Sequence, residues 1–350
     1  MDFLRRVLGL PDNVSAPPSS EDGITISRDD ATASPPPEPV VETPEENSDE
    51  LPETDALQVV ADDTPLIDTD EQLDVVESGT RPLPPLETVV PKPGERLAFG
   101  QLSDVGMVRG NNQDAVFGML SSSTSSDDVP DFGLFIVADG MGGHQEGERA
   151  ASITIRMLAQ HVLNQILDPM LELDMNNPDR PSIADILRAA VQGANDAVTE
   201  QIPEGGTTAT STVVVGDLAY IAHVGDSRAY LITDEGIEQI TRDHSLVQRL
   251  IELDQLTPEE AIDHPQRNVL YRAIGQSDSL DVDAITRRLP PRSRLLLCSD
   301  GLWNMVSEEA ILETISQHHD PQNACNKLVQ MANDRGAPDN VTVILVHVPG

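Results

Sequence analysis

The apolar positions of this chain fall into two textures. The first is a set of short unbroken runs: Phe135-Ile136-Val137-Ala138, Leu295-Leu296-Leu297-Cys298, and similar stretches over residues 219–224 and 341–346. Apolar runs of this length, bounded by Gly, Asp or Ser, predict strands buried on both faces. Residues 99–105, 211–215 and 229–233 add further strands. The second texture returns every three to four residues. It predicts a helix over 148–167, with Ile153, Met157, Leu158, Val162 and Ile166 on one face. A second covers 182–202, through Ile183, Ile186, Leu187, Ala190, Val191, Ala194 and Val198. Ser182 with Asp185 resembles a capping box, with Asp in place of Glu or Gln. Two more helices are expected over 307–317 and 321–335.

The connections set the fold class. Residues 121–131 read as a Ser/Asp-rich hairpin loop, and Thr233-Asp234-Glu235-Gly236 as a hairpin turn. Strands joined by hairpins, with helices arriving in pairs, predict an α+β fold of antiparallel sheets with helices outside. A polar helical insert opens at Asp243-His244-Ser245 and reaches about His264. Its position between strands suits a mobile lid.

Residues 1–95 belong to neither texture. From Met1 to Leu97 there are 23 acidic and 6 basic residues, and 15 of the 27 prolines, so a disordered, self-repelling acidic tail is expected. At its tip, Phe3, Leu4, Val7 and Leu8 keep helical spacing beside Arg5 and Arg6. Residues 3–10 are therefore either a short docking helix for a partner or a membrane surface, or a frayed start. The formal net charge of −38 argues against nucleic acid as a partner. No apolar run approaches the roughly 18 to 20 residues that span a bilayer. Cys298 and Cys325 are expected as buried free thiols in a reducing, cytoplasmic setting.

The chemistry gathers at strand ends. Asp139 follows an apolar run and precedes Gly140-Met141-Gly142-Gly143; Asp300 follows another and precedes Gly301. Asp226 lies in a turn between two strands, and Asp339 opens the last strand. Four carboxylates converging on one sheet edge repel unless a cation sits among them, and all-oxygen ligation suits Mg²⁺ or Mn²⁺. Arg109 and Asp114 share a Gly/Asn-rich loop. The guanidinium is either a phosphate grip or an ordinary surface arginine on a turn.

Taken in order, these motifs resemble the metal-dependent protein phosphatases of the protein phosphatase 2C type, the PPM family. They are Ser103-Asp104, Gly106, Arg109 and Asn112-Gln113-Asp114; Asp139-Gly140-Met141-Gly142-Gly143; Gly206-Thr207-Thr208-Ala209; Gly225-Asp226-Ser227-Arg228; Ser299-Asp300-Gly301-Leu302-Trp303; and Asp339-Asn340-Val341-Thr342. The resemblance implies a four-layer αββα sandwich over 96–350, with a flap at about 243–268. It implies that Asp139 bridges two Mn²⁺ or Mg²⁺ ions, that Asp300 and Asp339 complete the first, and that the Gly140 carbonyl binds the second. Asp226 with Asp300 would hold a third, weaker ion, and Asp114 would accept from metal-bound water. Arg109 would bind the substrate phosphate. The implied reaction is hydrolysis of phosphoserine and phosphothreonine in proteins by hydroxide formed between the metals, in a monomer. The alternative is an inactive relative that binds phosphoproteins or acts as a scaffold through its tail. Two positions depart from the pattern: Gln113 stands where many relatives carry Glu, and Met141 where animal relatives carry His. The general acid is then His144, His244 or metal-bound water, and either His is otherwise a structural hydrogen-bonding residue.

Overall fold

The computed structural model describes residues 96–123, 129–142, 146–173 and 180–350. All of them lie in the second of the chain's two units, Gly79–Gly350. The tail expected over 1–95, the segment 3–10 and His144 lie outside the described residues.

In chain order the first strands are β1 (Ala98–Asp104), β2 (Ala115–Ser121), β3 (Phe132–Ala138), β4 (Gly140–Met141), β5 (Gly206–Thr207) and β6 (Ala209–Val215). Then come β7 (Leu218–Val224), β8 (Arg228–Thr233), β9 (Gly236–Gln239), β10 (Asp283–Arg288), β11 (Arg294–Cys298) and β12 (Val341–His347). One sheet has the order β1-β12-β11-β8-β9, the other β10-β7-β6-β3-β2, and β4 pairs with β5 alone. Every pairing is antiparallel.

The helices are α1 (Glu146–Val162), α2 (Asp168–Leu171), α3 (Ile183–Gln201), α4 (Leu246–Glu252), α5 (Pro258–Ile262), α6 (Asp300–Trp303), α7 (Glu308–Gln317) and α8 (Pro321–Asp334). A π-helical turn, Leu163–Leu167, joins α1 to α2.

The continuous apolar strands are explained by what lies on each side of them. In β3, Phe132, Leu134 and Ile136 face α1 and α3, while Phe135 and Val137 enter the space between the sheets. In β11, Leu295 and Leu297 point inward, and Leu296 and Cys298 meet the layer of α6, α7 and α8. Strand β12 divides in the same way, Ile344 and Val346 inward, Val343 and Leu345 outward. The result is the four-layer α+β sandwich, with three apolar layers between its four. Each fully buried Leu, Ile or Phe contributes on the order of 1.5 to 3 kcal/mol. Cys298 and Cys325 are both buried and free, in the outer layer that β11 shares with α8.

Three expectations need correction. Met157 is 37% exposed, so the buried stripe of α1 runs through Ile153, Leu158 and Val162 and continues to Ile166. Ser182 caps α3 by accepting from the Asp185 N–H, but its hydroxyl donates to Asp185 Oδ2 at 2.6 Å. The shorter Asp carboxylate thus takes the Ser hydroxyl, and the reciprocal half of a capping box is not made. The insert is also not wholly polar: Leu253 and Ile262 are exposed, as are Val269 and Tyr271 just after it. Thr257 does form a full capping box with Glu260 at the start of α5. Among the described residues, no helix is long and apolar enough to cross a membrane.

Candidate active site

The sheet edge where β3 ends carries a cleft of about 300 Å³, lined by Arg109, Gln113, Asp139, Gly140, Asp226, Asp300 and Asp339, with Asn268 and Leu270 from the end of the insert and just past it. Six of the seven residues assigned to the site from sequence line this one opening. The seventh, Asp114, sits just behind it.

Asp139 is held by its main chain. Its N–H donates to Thr208 Oγ1 at 2.9 Å, and its carbonyl accepts from Thr207 Oγ1 and Thr208 N, both at 2.9 Å. The β4–β5 ladder continues this clamp by pairing Gly140 with Thr207. A Cβ at Gly140 would collide with the Gly147 carbonyl, so only glycine lets the turn close against α1. Asp226 follows Gly225, whose φ of 108° reverses the chain between β7 and β8. Asp300 is the first residue of α6, after the cap Ser299. The sequence read this point as a plain strand end; the single helical turn was too short to show a period.

The remaining polar contacts tie three distant segments together. Ser299 Oγ donates to Asp114 Oδ2 at 2.8 Å and accepts from Thr342 N at 3.0 Å. Asn340 Oδ1 accepts from Gln113 N at 2.8 Å, and its Nδ2 donates to the carbonyls of Val105 and Asn111 at 2.9 and 3.0 Å. Asp339 Oδ1 accepts from Asn340 N at 2.9 Å, and Oδ2 accepts from Arg109 Nη2 at 2.7 Å. Ser299, Thr208 and Asn340 were not picked out as functional from the sequence.

The electrostatics are those of a site short of positive charge. Burial, then the charges of Asp114, Asp300, Asp226 and Asp339, holds the Asp139 carboxyl well above the usual carboxylate range. Asp300 is raised well above it for the same reasons, burial first and Asp226 next. Burial and Asp243 push Asp226 up to about 7, and burial pushes Asp114 up to about 6. Asp300 Oδ1 is buried without a hydrogen-bond partner, its Oδ2 taking only Asn304 Nδ2 at 3.2 Å. Hard oxygen donors, mutually repelling, with one orphaned oxygen, fit a hard divalent cation. Among the described residues, no three His, Cys, Asp or Glu side chains already form a coordination shell. Arg109 occupies one oxygen of Asp339, and Ser299 one oxygen of Asp114.

His244 is not a candidate acid. It is 1% exposed and is not among the residues that line the cleft. Its Nδ1 accepts from Gly225 N at 3.1 Å, while its main-chain N–H donates to the Gly225 carbonyl at 2.7 Å. Burial, then Arg272, lowers its pKa, so a proton on Nδ1 is doubly disfavoured. It anchors the insert to the Asp226 turn. Gln113 is buried beside the cleft with its Nε2 unpaired. Met141 Sδ accepts from Gln276 Nε2 at 3.6 Å, which gives it a packing role and no proton to transfer.

Comparison with known proteins settles the family. The sequence pattern of the family described as protein phosphatase 2C matches residues 99–333. The chain belongs to the protein phosphatase 2C family. Within it, the chain is 36% identical over 258 residues to the serine/threonine protein phosphatase PstP of Mycobacterium tuberculosis, covering 72% of this chain and 45% of that protein. It is 36% identical to the protein phosphatase PhpP of Streptococcus pneumoniae over 253 residues, covering 72% of this chain and 98% of that protein. The chain thus matches under half the length of the mycobacterial relative. A crystal structure of a PstP catalytic domain with two manganese ions superposes with a TM-score of 0.58 at 33% identity, covering 73% of this chain and 99% of that one. The likeness to that crystal structure covers the sandwich described above.

Proposed function

We propose that this chain is a metal-dependent protein serine/threonine phosphatase. The observation that carries this reading is the crowding of five carboxylates at strand ends beside one guanidinium, in a chain of the protein phosphatase 2C family. We assign Asp139, Asp300 and Asp339, with the Gly140 carbonyl, to two Mn²⁺ or Mg²⁺ ions. Asp226 with Asp300 is assigned to a third, weaker one. Such ions, when bound, polarise a phosphate and lower the pKa of water to near neutrality.

The chain's own residues orient the reaction around them. Arg109 sits at the mouth with its guanidinium half-exposed, free to leave Asp339 and take two phosphate oxygens in a fork. There it neutralises charge spreading over the equatorial oxygens as the phosphoryl group transfers in line. Asp114, aimed by the Ser299 hydroxyl, orients water at the back of the cleft. The Thr207-Thr208 clamp keeps the Asp139 backbone fixed while charge develops. Asn268 and Leu270 put the insert at the rim, where its exposed apolar residues meet a protein substrate and not a small phosphate ester.

The named functions of PstP and PhpP support the substrate class. Two buried free thiols support a reducing, cytoplasmic setting, and we take the chain as a monomer. Release of phosphate from a phosphoserine peptide, with Mn²⁺ and with chelator, tests the reading. Turnover only with the cation supports it; none with either Mn²⁺ or Mg²⁺ overturns it.

A further inference from the structure

We propose that Trp303 is a positioning residue that fixes the Asp226 turn against the helical turn bearing Asp300. Asp300 and Trp303 are the two ends of α6. The Trp303 indole Nε1–H donates to the Asp226 carbonyl at 3.1 Å, so one side chain links the helical turn that bears Asp300 to the β7–β8 turn that bears Asp226. The ring's face is covered by Arg228, whose guanidinium carbon lies 3.6 Å from the ring centre.

Arg228 cannot drift. Its Nε donates to Asp243 Oδ1 and Oδ2 at 3.0 and 3.1 Å, and its Nη2 to Oδ2 at 2.7 Å. Its Nη1 donates to the hydroxyl of the fully buried Tyr230 at 3.0 Å. Gln239 Nε2 holds Asp243 from the far side at 3.0 Å. The indole is therefore wedged between a locked cation and a carbonyl one bond from Asp226 Cα. Asp243 is also the first residue of the insert, so the same stack ties the insert's base to the carboxylate edge. Two like-charged groups that must share a cation gain affinity when their backbones cannot move apart.

This inference rests on the reading of Asp226 and Asp300 as cation-holding groups. Trp303 is the only tryptophan in the chain, so intrinsic fluorescence reports on this stack alone. The experiment titrates Mn²⁺ into the full chain, followed by calorimetry and tryptophan fluorescence, and repeats the calorimetry on Trp303→Phe. Phenylalanine keeps an aromatic face under Arg228 and removes the N–H donor, together with part of the ring. Wild-type fluorescence is expected to change as Mn²⁺ binds. Trp303→Phe is expected to keep its tight binding, while affinity at the weakest site falls roughly 3- to 10-fold, the loss of one hydrogen bond. A purely structural role predicts a lower melting midpoint with an unchanged isotherm. An isotherm identical to wild type, or wild-type fluorescence blind to bound Mn²⁺, overturns the inference alone. If Trp303→Phe does not fold, the wild-type fluorescence decides. A wild-type chain that binds no Mn²⁺ overturns the functional reading with it.

Discussion

Arg109 and Asp339 form an ion pair across the cleft mouth, Nη2 to Oδ2 at 2.7 Å, between groups 230 positions apart. The arginine thus rests on an oxygen assigned to a cation, and it must leave to grip a phosphate. Arg109→Ala should lower kcat/KM on a phosphopeptide by roughly 10- to 150-fold, the loss of a charge-assisted contact worth about 1.5 to 3 kcal/mol. Mn²⁺ affinity by calorimetry should stay the same or tighten, because a competitor for Asp339 is gone. Weaker Mn²⁺ binding would place Arg109 among the groups that build the metal site.

Asp139→Ala should fail in a different manner. Asp139 feels all four of its carboxylate neighbours and is assigned to both main ions. Turnover should fall to background, and calorimetry should lose at least one tight Mn²⁺ site. Retention of both sites with substantial turnover contradicts the assignment.

Protonation sets how much a cation stabilises the fold. A carboxyl whose pKa is higher folded than unfolded adds stability that is complete below the unfolded value, 3.8 for Asp, and is lost as pH rises through the folded value. Asp114 at about 6 and Asp226 at about 7 place that loss between about pH 4 and 7. His223 acts in the opposite sense: burial pushes it down to about 3, so its stability is present above 6.5 and lost as pH falls toward 3. Its contribution is common to loaded and metal-free protein and cancels in their difference. The rise in melting temperature on adding Mn²⁺ should therefore be larger at pH 7.5 than at 5.5. An equal or smaller rise at pH 7.5 would mean that the carboxylates do not set metal-linked stability.

Gly301→Ala places a Cβ into the Asn340 carbonyl, where no flexible side chain can yield. The α6 turn must shift, at a cost of about 1 to 3 kcal/mol in urea denaturation. Because Asp300 moves with it, turnover should fall by more than the stability loss alone explains. Normal turnover in the folded variant would show that the turn tolerates displacement.

Leu253 and Ile262 are 46% and 66% exposed on the insert, and no residue of α4 or α5 is fully buried. Leu253→Glu with Ile262→Glu should leave turnover of a small aryl phosphate intact and reduce turnover of a phosphoprotein several-fold. Equal effects on both substrates would remove the insert from substrate choice.

What the sequence made legible follows from range. β3, β11 and β12 stood out because both their faces are buried, and the carboxylates because Asp-Gly recurs at strand ends. β10 is an edge strand ending in Thr286-Arg287-Arg288, with no apolar run to mark it. α6 has four residues, too few for a helical period. The contacts of Asn340 with Gln113 and of Ser299 with Thr342 join residues 227 and 43 positions apart. Such pairs leave no local mark on either segment.

The doubly buried strands carry a hazard that these polar pairs remove. A strand with one wet face cannot slip by one residue without exposing its apolar set. β12 has no wet face over Val341–Val346, so a slip would only exchange one oily set for another. Asn340, clasping Gln113, Val105 and Asn111, fits in a single alignment, as does Ser299 between Asp114 and Thr342. These residues act as index marks for the sheet. The alignment of β12 is thus fixed at the edge where Asp339 must meet its neighbours, so a misthreaded copy would lack its carboxylate edge even if its core closed.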